Sequence, residues 1–184
     1  VREVYLSYAS GTATDLLVTR LDEALTEAGI PLRRDRKDLA YRDSVSQFMQ
    51  RMAAGHCVVL LVSEKYLQSE YCMAELLALL KAEDMRDRIF PIVLEDARLY
   101  DPAACARCAG YWERRAQDLD AALKEMRGDN LARLQSKLTE YTEFRRLFGS
   151  VADTLRDMNA LTPGEHADTG FEQLPQCFHG RSGG

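Results

Sequence analysis

Histidine is scarce in this chain, three in 184 residues. His56, His166 and His179 are scattered and offer no pairing with a serine or cysteine nucleophile. No GxGxxG follows the first hydrophobic run, no GxxxxGK[ST] occurs anywhere, and no serine-hydrolase elbow sits on a strand-to-helix turn. The common phosphate cradles and the common acyl-transfer nucleophile are therefore excluded. A basic excess is lacking too. Lys and Arg number 24 against 29 Asp and Glu, a net charge of -5, which argues against general binding to nucleic acid or to a membrane surface. No apolar run reaches the roughly 18 residues that span a bilayer, and no signal-peptide pattern is present, although the chain begins at Val1 rather than at a methionine. A soluble, cytoplasmic chain is expected. The five cysteines are an odd number, and Cys57 and Cys72 lie inside apolar runs, which fits a reducing compartment better than a disulfide framework. Cys105 and Cys108 form a lone CxxC whose only distant partners are Cys177 and His179. A structural zinc site ordinarily needs a second close pair, so no metal is expected and two thiols one helical turn apart are the simpler reading.

What is present is a regular alternation of two hydrophobic periods over the first hundred residues. "EVYLSY" (Glu3 to Tyr8) reads as a strand. Leu17, Leu21, Ala24, Leu25 and Ala28 then recur at helical spacing until Gly29 supplies a stop. "IPLRR" from Ile30 is a weaker strand, and a polar loop from Asp35 to Asp43 leads into a helix carrying Val45, Phe48, Met49 and Met52, ending at Gly55. "HCVVLLVS" (His56 to Ser63) is apolar almost throughout, as a central strand buried on both faces must be. A helix capped by Ser69 follows, and then "RIFPIVL" (Arg88 to Leu94), whose Pro91 points to an edge or a bulge. This order predicts an α/β fold, a flavodoxin-like doubly wound parallel sheet of four to five strands, with ligands beyond the carboxyl ends of the strands. The loops after Tyr8, Arg34 and Ser63 lie at that end. In the first of them, "ASGTATD", Gly11 and the small hydroxyl residues suit either a phosphate or a solvated turn capping a helix at Thr14.

From Asp101 to about Met158, β-branched residues are few and helical periodicity dominates, with Leu119, Leu123 and Met126, then Leu131, Leu134, Leu138 and Tyr141. Two long helices separated near Gly128 are expected, then a shorter one through Phe144, Leu147, Val151 and Leu155. No fifth strand is legible there. The domain is expected over residues 1–175, with an α/β core in 1–100 and a helical extension in 101–160. Residues 176–184, ending "HGRSGG", read as a linker or tail.

One residue stands out. In "SEYCMAELLALL" (Ser69 to Leu80), Cys72, Leu76, Leu79 and Leu80 form an apolar stripe at helical period, with Glu75 on its edge. Glu75 is either a rim residue reaching water or a carboxylate held against an apolar wall beside a pocket, where desolvation alters its chemistry.

The segments "VYLSYAS", "RRDRKDLAYRDSVSQFMQRM", "CVVLLVSEKYLQSEYCMAELLAL" and "IFPIVL", in this order, resemble a Toll/interleukin-1 receptor (TIR) domain of the bacterial, NAD-cleaving kind. The similarity is strong over about Val1 to Tyr100. Through the helical segment and "DMNALTPGEHADTGFEQL" it is similar to an extended subgroup found at the N-terminus of multidomain proteins. Its most specific piece is the run Ser69, Tyr71, Cys72 and Glu75.

The resemblance implies hydrolysis of NAD+ at the nicotinamide-ribose bond, yielding nicotinamide with ADP-ribose or a cyclic isomer. NAD+ is then a substrate, and no cofactor is implied. At the position of Glu75 the family carries its catalytic glutamate. Tyr8, Ala9 and Ser10 match the stretch lining the nicotinamide side, although Tyr8 equally suits a core aromatic. Tyr71 stands where the family often has tryptophan. Within Asp35 to Asp43, which matches a loop that closes the pocket or meets a neighbouring protomer, Asp38, Leu39 and Tyr41 are the candidate contacts. Activity then depends on homotypic self-association, in an effector domain of bacterial antiphage immunity or signalling whose sensor domain lies beyond Gly184. A non-catalytic TIR interaction module is the rival reading, and a nucleoside deoxyribosyltransferase-like enzyme a third.

Overall fold

The computed structural model describes residues 4–33, 47, 49–50, 57–82, 87–125 and 131–158. The chain divides into two compact units, an α/β unit whose sheet lies within Val1–Ala97 and a helical unit, Arg98–Thr154.

In the α/β unit the described strands are β1 (Val4–Tyr8), β2 (Leu32–Arg33), β3 (Cys57–Val62) and β4 (Ile89–Val93). They form one sheet in the order β2-β1-β3-β4, with every pairing parallel. β3 is the longest and is buried at all six positions, as its unbroken apolar run requires of a strand covered on both faces. Pro91 lies in β4, at the edge of the described sheet, where a missing ladder donor is tolerated.

Helix α1 (Thr12–Glu27) covers one face. Its Leu17, Val18, Leu21 and Leu25 cluster with Val4 and Leu6 of β1, Cys57, Val59 and Leu61 of β3, and Ile92 of β4. The helix ends as its sequence dictates. Gly29 takes φ +72, its N–H donates to the Thr26 carbonyl at 2.9 Å, and the Ile30 N–H donates to the Leu25 carbonyl at 2.8 Å. This is the doubly bonded stop that a left-handed residue makes possible, and Ile30 joins Leu25 in the same cluster. The start differs from expectation. Gly11, in extended backbone, occupies the N-cap position without a side-chain bond, and Thr14 is buried in the first turn. Its register puts Thr14 on the face shared with Leu17, Val18 and Leu21, where it packs rather than caps.

The opposite face carries Tyr5 and Ser7 of β1, because strand side chains alternate, and Ser7 pairs across the ladder with Leu60. After β3 comes α2 (Glu64–Leu67), a single turn capped by Ser63, and then α3 (Glu70–Lys81), capped by Ser69. The buried arc of α3 contains Cys72, Met73, Glu75, Leu76 and Leu79.

The helical unit holds α4 (Pro102–Glu125) and α5 (Leu131–Leu147), followed in sequence by α6 (Val151–Asp157), whose residues from Leu155 on belong to the α/β unit. Phe144 belongs to the second of these, not to the third as its spacing suggested. A turn over Phe148–Ser150 makes the break, with the Gly149 N–H donating to the Arg146 carbonyl at 3.1 Å. Trp112 is fully buried, with Phe144 at 4.9 Å and Tyr141 at 5.4 Å between ring centroids. Arg115 reaches from α4 to the Tyr141 hydroxyl at 2.9 Å, and Arg145 pairs with Glu113. Between residues 101 and 158, the described residues form no strand.

Candidate functional site

The strand order fixes where a ligand would sit. From β1 the chain moves to β2 on one side, then returns past β1 to β3 on the other. Connections leaving in opposite directions open a crevice at the carboxyl ends of β1 and β3. Ser7 is the penultimate residue of β1, and Ser63 immediately follows β3.

Three side chains meet beside that crevice, each from a different element. Ser7 is 3% exposed, Tyr66 of α2 is 0% exposed and Glu75 of α3 is 3% exposed. The Ser7 hydroxyl donates to Glu75 Oε2, and the hydroxyls of Ser7 and Tyr66 lie 3.1 Å apart. Among the described residues Glu75 is the one charged side chain in the buried set. A carboxylate removed from water is costly unless hydrogen bonds replace its hydration, and here a bond from the central sheet does so.

Local sequence explains the arrangement. Ser63 accepts from the Tyr66 N–H at 3.0 Å, which starts the one-turn helix that aims Tyr66 inward. Ser69 caps α3 through the Cys72 N–H at 3.4 Å. A helix that follows a parallel strand starts at the sheet's carboxyl edge and runs back along it. Four residues span about 6 Å of helix, so Tyr71, half-buried, stands one turn nearer the crevice mouth than Glu75. Lys65 Nζ donates to the Ser10 carbonyl at 2.6 Å, tying the loop after β1 to α2.

The other sequence-derived candidates distribute as follows. Ala9 is buried and Ser10 exposed. Tyr8 is partly buried against the cluster under α1, on the face of β1 opposite Ser7. Cys72 is fully buried and not disulfide-bonded. Asp38, Leu39 and Tyr41 lie outside the described residues, as does most of the helix expected after them, of which Gln47, Met49 and Gln50 are described and helical.

Sequence reasoning missed Ser7 and Tyr66. The signal for Ser7 was available. In "VYLSY" it is the one small polar residue of the strand, on the face that Tyr5 shares, and a buried strand carries such a residue only with a partner. Tyr66 lies in a helix of four residues, too short for periodicity to reveal.

A protein-family model described as TIR domain matches residues 4–134. The chain belongs to the TIR domain family. Among solved structures, this TIR domain is similar to the TIR domains in the structure of the activated Roq1 resistosome directly recognizing the pathogen effector XopQ. The TM-score is 0.51 and the identity 22%, over 83% of this chain and 84% of that one. At that identity the likeness concerns the fold. No curated protein matches the chain. The family match takes in the crevice and all three side chains beside it, and runs on through α4 into α5. Among the described residues no helix is long and apolar enough to cross a membrane, and no three His, Cys, Asp or Glu side chains gather as metal ligands.

Proposed function

We propose that this TIR domain is an NAD+ glycohydrolase with Glu75 as its catalytic residue. The observation that carries this reading is the buried carboxylate of Glu75, hydrogen-bonded by Ser7 beside the crevice between β1 and β3. In NAD+ the nicotinamide nitrogen is a cationic pyridinium. When the bond to ribose C1′ breaks, its electron pair goes to that nitrogen and nicotinamide leaves neutral, so the paired carboxyls of ordinary glycosidases are unnecessary. Positive charge develops on the ribose instead. A fixed carboxylate in a dry wall stabilises that oxocarbenium-like sugar or grips its hydroxyls. Water then adds to C1′ and releases a proton, giving ADP-ribose; attack by the substrate's own adenine gives a cyclic isomer. Tyr71, one turn nearer the mouth, offers a stacking face. Tyr8, Ala9, Ser10 and Cys72 complete the proposed surroundings on the chain's side.

Activity requires self-association in this reading, with the 35–43 loop and its Asp38, Leu39 and Tyr41 meeting a neighbouring copy. The similar fold of TIR domains within an activated resistosome supports it. The domain then serves as the effector of a cytoplasmic immune or signalling protein. That same similarity also favours a second reading, a TIR module that associates without catalysis.

Incubation of the chain with NAD+ at high protein concentration, with chromatography for nicotinamide and for linear and cyclic ADP-ribose, tests the proposal. Turnover that rises more than linearly with protein concentration is expected. Forced oligomers that assemble and release no nicotinamide would leave the non-catalytic module in its place.

A further inference from the structure

Two buried hydroxyls have no part in the chemistry above. Ser7 is 3% exposed and Tyr66 0%, and neither a strand nor a one-turn helix needs a hydroxyl in its apolar interior. Their bonds have a direction. A hydroxyl carries one proton, and Ser7 gives its proton to Glu75 Oε2. Of the two hydroxyls 3.1 Å apart, Tyr66 is therefore the donor and Ser7 the acceptor. Donation by Tyr66 polarises the Ser7 O–H and strengthens its bond to the carboxylate.

We propose that Ser7 and Tyr66 are positioning residues, a relay in which Tyr66 donates to Ser7 and Ser7 to Glu75, orienting the carboxylate and holding it charged in a dry wall. Three elements supply the relay, β1, α2 and α3, so it forms only when the sheet and both helices are assembled. Its catalytic meaning rests on the NAD+ reading. Its existence is measurable without turnover.

Among the described residues, the groups near Glu75 permit a clean measurement. Tyr5 and Ser7 lie on this face of β1, Tyr66 comes from α2 and reaches Ser7, and Tyr71 and Cys72 stand one turn before Glu75 on α3. Strand alternation puts Val58, Leu60 and Val62 of β3 on the same face of the sheet as Ser7. Lys65, the cation of α2, is exposed and bonded to the Ser10 carbonyl. Phenols and thiols ordinarily lose protons only above about pH 8, so an acid titration among these reads the carboxyl.

The experiment is a carbon-13 NMR titration of the full chain labelled at glutamate Cδ, with the Glu75 signal assigned by its loss in Glu75→Gln. Ser7→Ala is expected to raise the Glu75 midpoint by about one pH unit, because a donor to the charged form is removed. Tyr66→Phe should raise it less, and Ser7→Thr, which keeps the hydroxyl, should restore it. A midpoint unmoved in Ser7→Ala overturns the relay. If that variant does not fold, Tyr66→Phe, which removes a single oxygen, decides on the same criterion. The acid limb of nicotinamide release should move with the carboxyl midpoint. A midpoint that moves in a chain that never consumes NAD+ defeats the NAD+ reading and leaves the relay standing. Turnover that depends on Glu75 with an unmoved midpoint does the reverse.

Discussion

At the scale of single residues, the tension between stability and function centres on Glu75. A charged side chain at 3% exposure lowers the stability of the fold relative to a neutral isostere, because taking a carboxylate out of water costs more than taking out an amide of the same shape. Glu75→Gln keeps the shape and an acceptor for Ser7 but removes the charge. Its melting temperature should equal or exceed that of the parent, while nicotinamide release falls by about 10²-fold or more. Thermal melts run beside the NAD+ assay check both halves. Sequence alone brought Glu75 to notice as a carboxylate on the margin of an apolar stripe, and that margin is buried. The stripe differs by one member, since Met73 is fully buried and Leu80 only partly. Ser7 is hard to see in the sequence because hydrophobic content is what marks β1 as a strand, and the informative residue is the exception to it. Burial of a polar group becomes visible only when the face opposite it is known.

At the scale of elements, punctuation explains how far the fold could be read. Gly29 ends α1 where the sequence indicated, and the left-handed φ of +72 is the reason. A Cβ there meets nothing within 4 Å, so Gly29→Ala isolates the backbone term. A loss of about 1 kcal/mol is expected in urea unfolding. Ser63 tests the other end of the problem. It caps the turn that carries Tyr66, and Ser63→Ala should cost about 1 kcal/mol and weaken the presentation of the Tyr66 hydroxyl. Nicotinamide release in that variant should fall more than a melting shift of that size implies. All four described strands were legible because parallel strands have long apolar runs or sit beside glycine and proline. The one-turn α2 was not, since four residues contain barely one helical period. The break before Val151 is hidden for a related reason: apolar residues at 144, 147, 151 and 155 keep helical spacing across the turn over Phe148–Ser150 that interrupts the helix.

At the scale of the whole molecule, the single tryptophan of the sequence gives each unit its own voice. Trp112 is buried between α4 and α5, so its fluorescence reports the helical unit while the NAD+ assay reports the crevice. In that unit the Arg145 guanidinium bonded to Glu113 holds the carboxyl below its usual value of 4.5. The folded form thus binds this proton less readily than the unfolded chain. The resulting contribution is complete above about pH 4.5 and is lost as the pH falls through the lowered folded value. Stability measured from Trp112 emission on unfolding should therefore fall below pH 4.5, and Glu113→Gln should flatten that part of the profile. In the same unit, burial first and the nearby Asp101 second push the Cys105 thiol upward. Its Sγ donates to the Leu99 carbonyl at 2.9 Å. Alkylation of Cys105 in the folded chain at pH 8 should consequently be slow compared with the unfolded chain. The α/β unit is constrained in another way, through the alternation of β1. Ser7 faces Glu75 and Tyr8 faces the layer under α1, so a deletion or insertion of one residue within Val4–Tyr8 would exchange the hydroxyl and the ring between the two sides. A polar group would enter the apolar layer just as the carboxylate lost its donor. Point substitutions can separate folding from chemistry in this strand, but a change of length cannot, and the lineage of such a domain should vary its loops while keeping the length of this strand fixed.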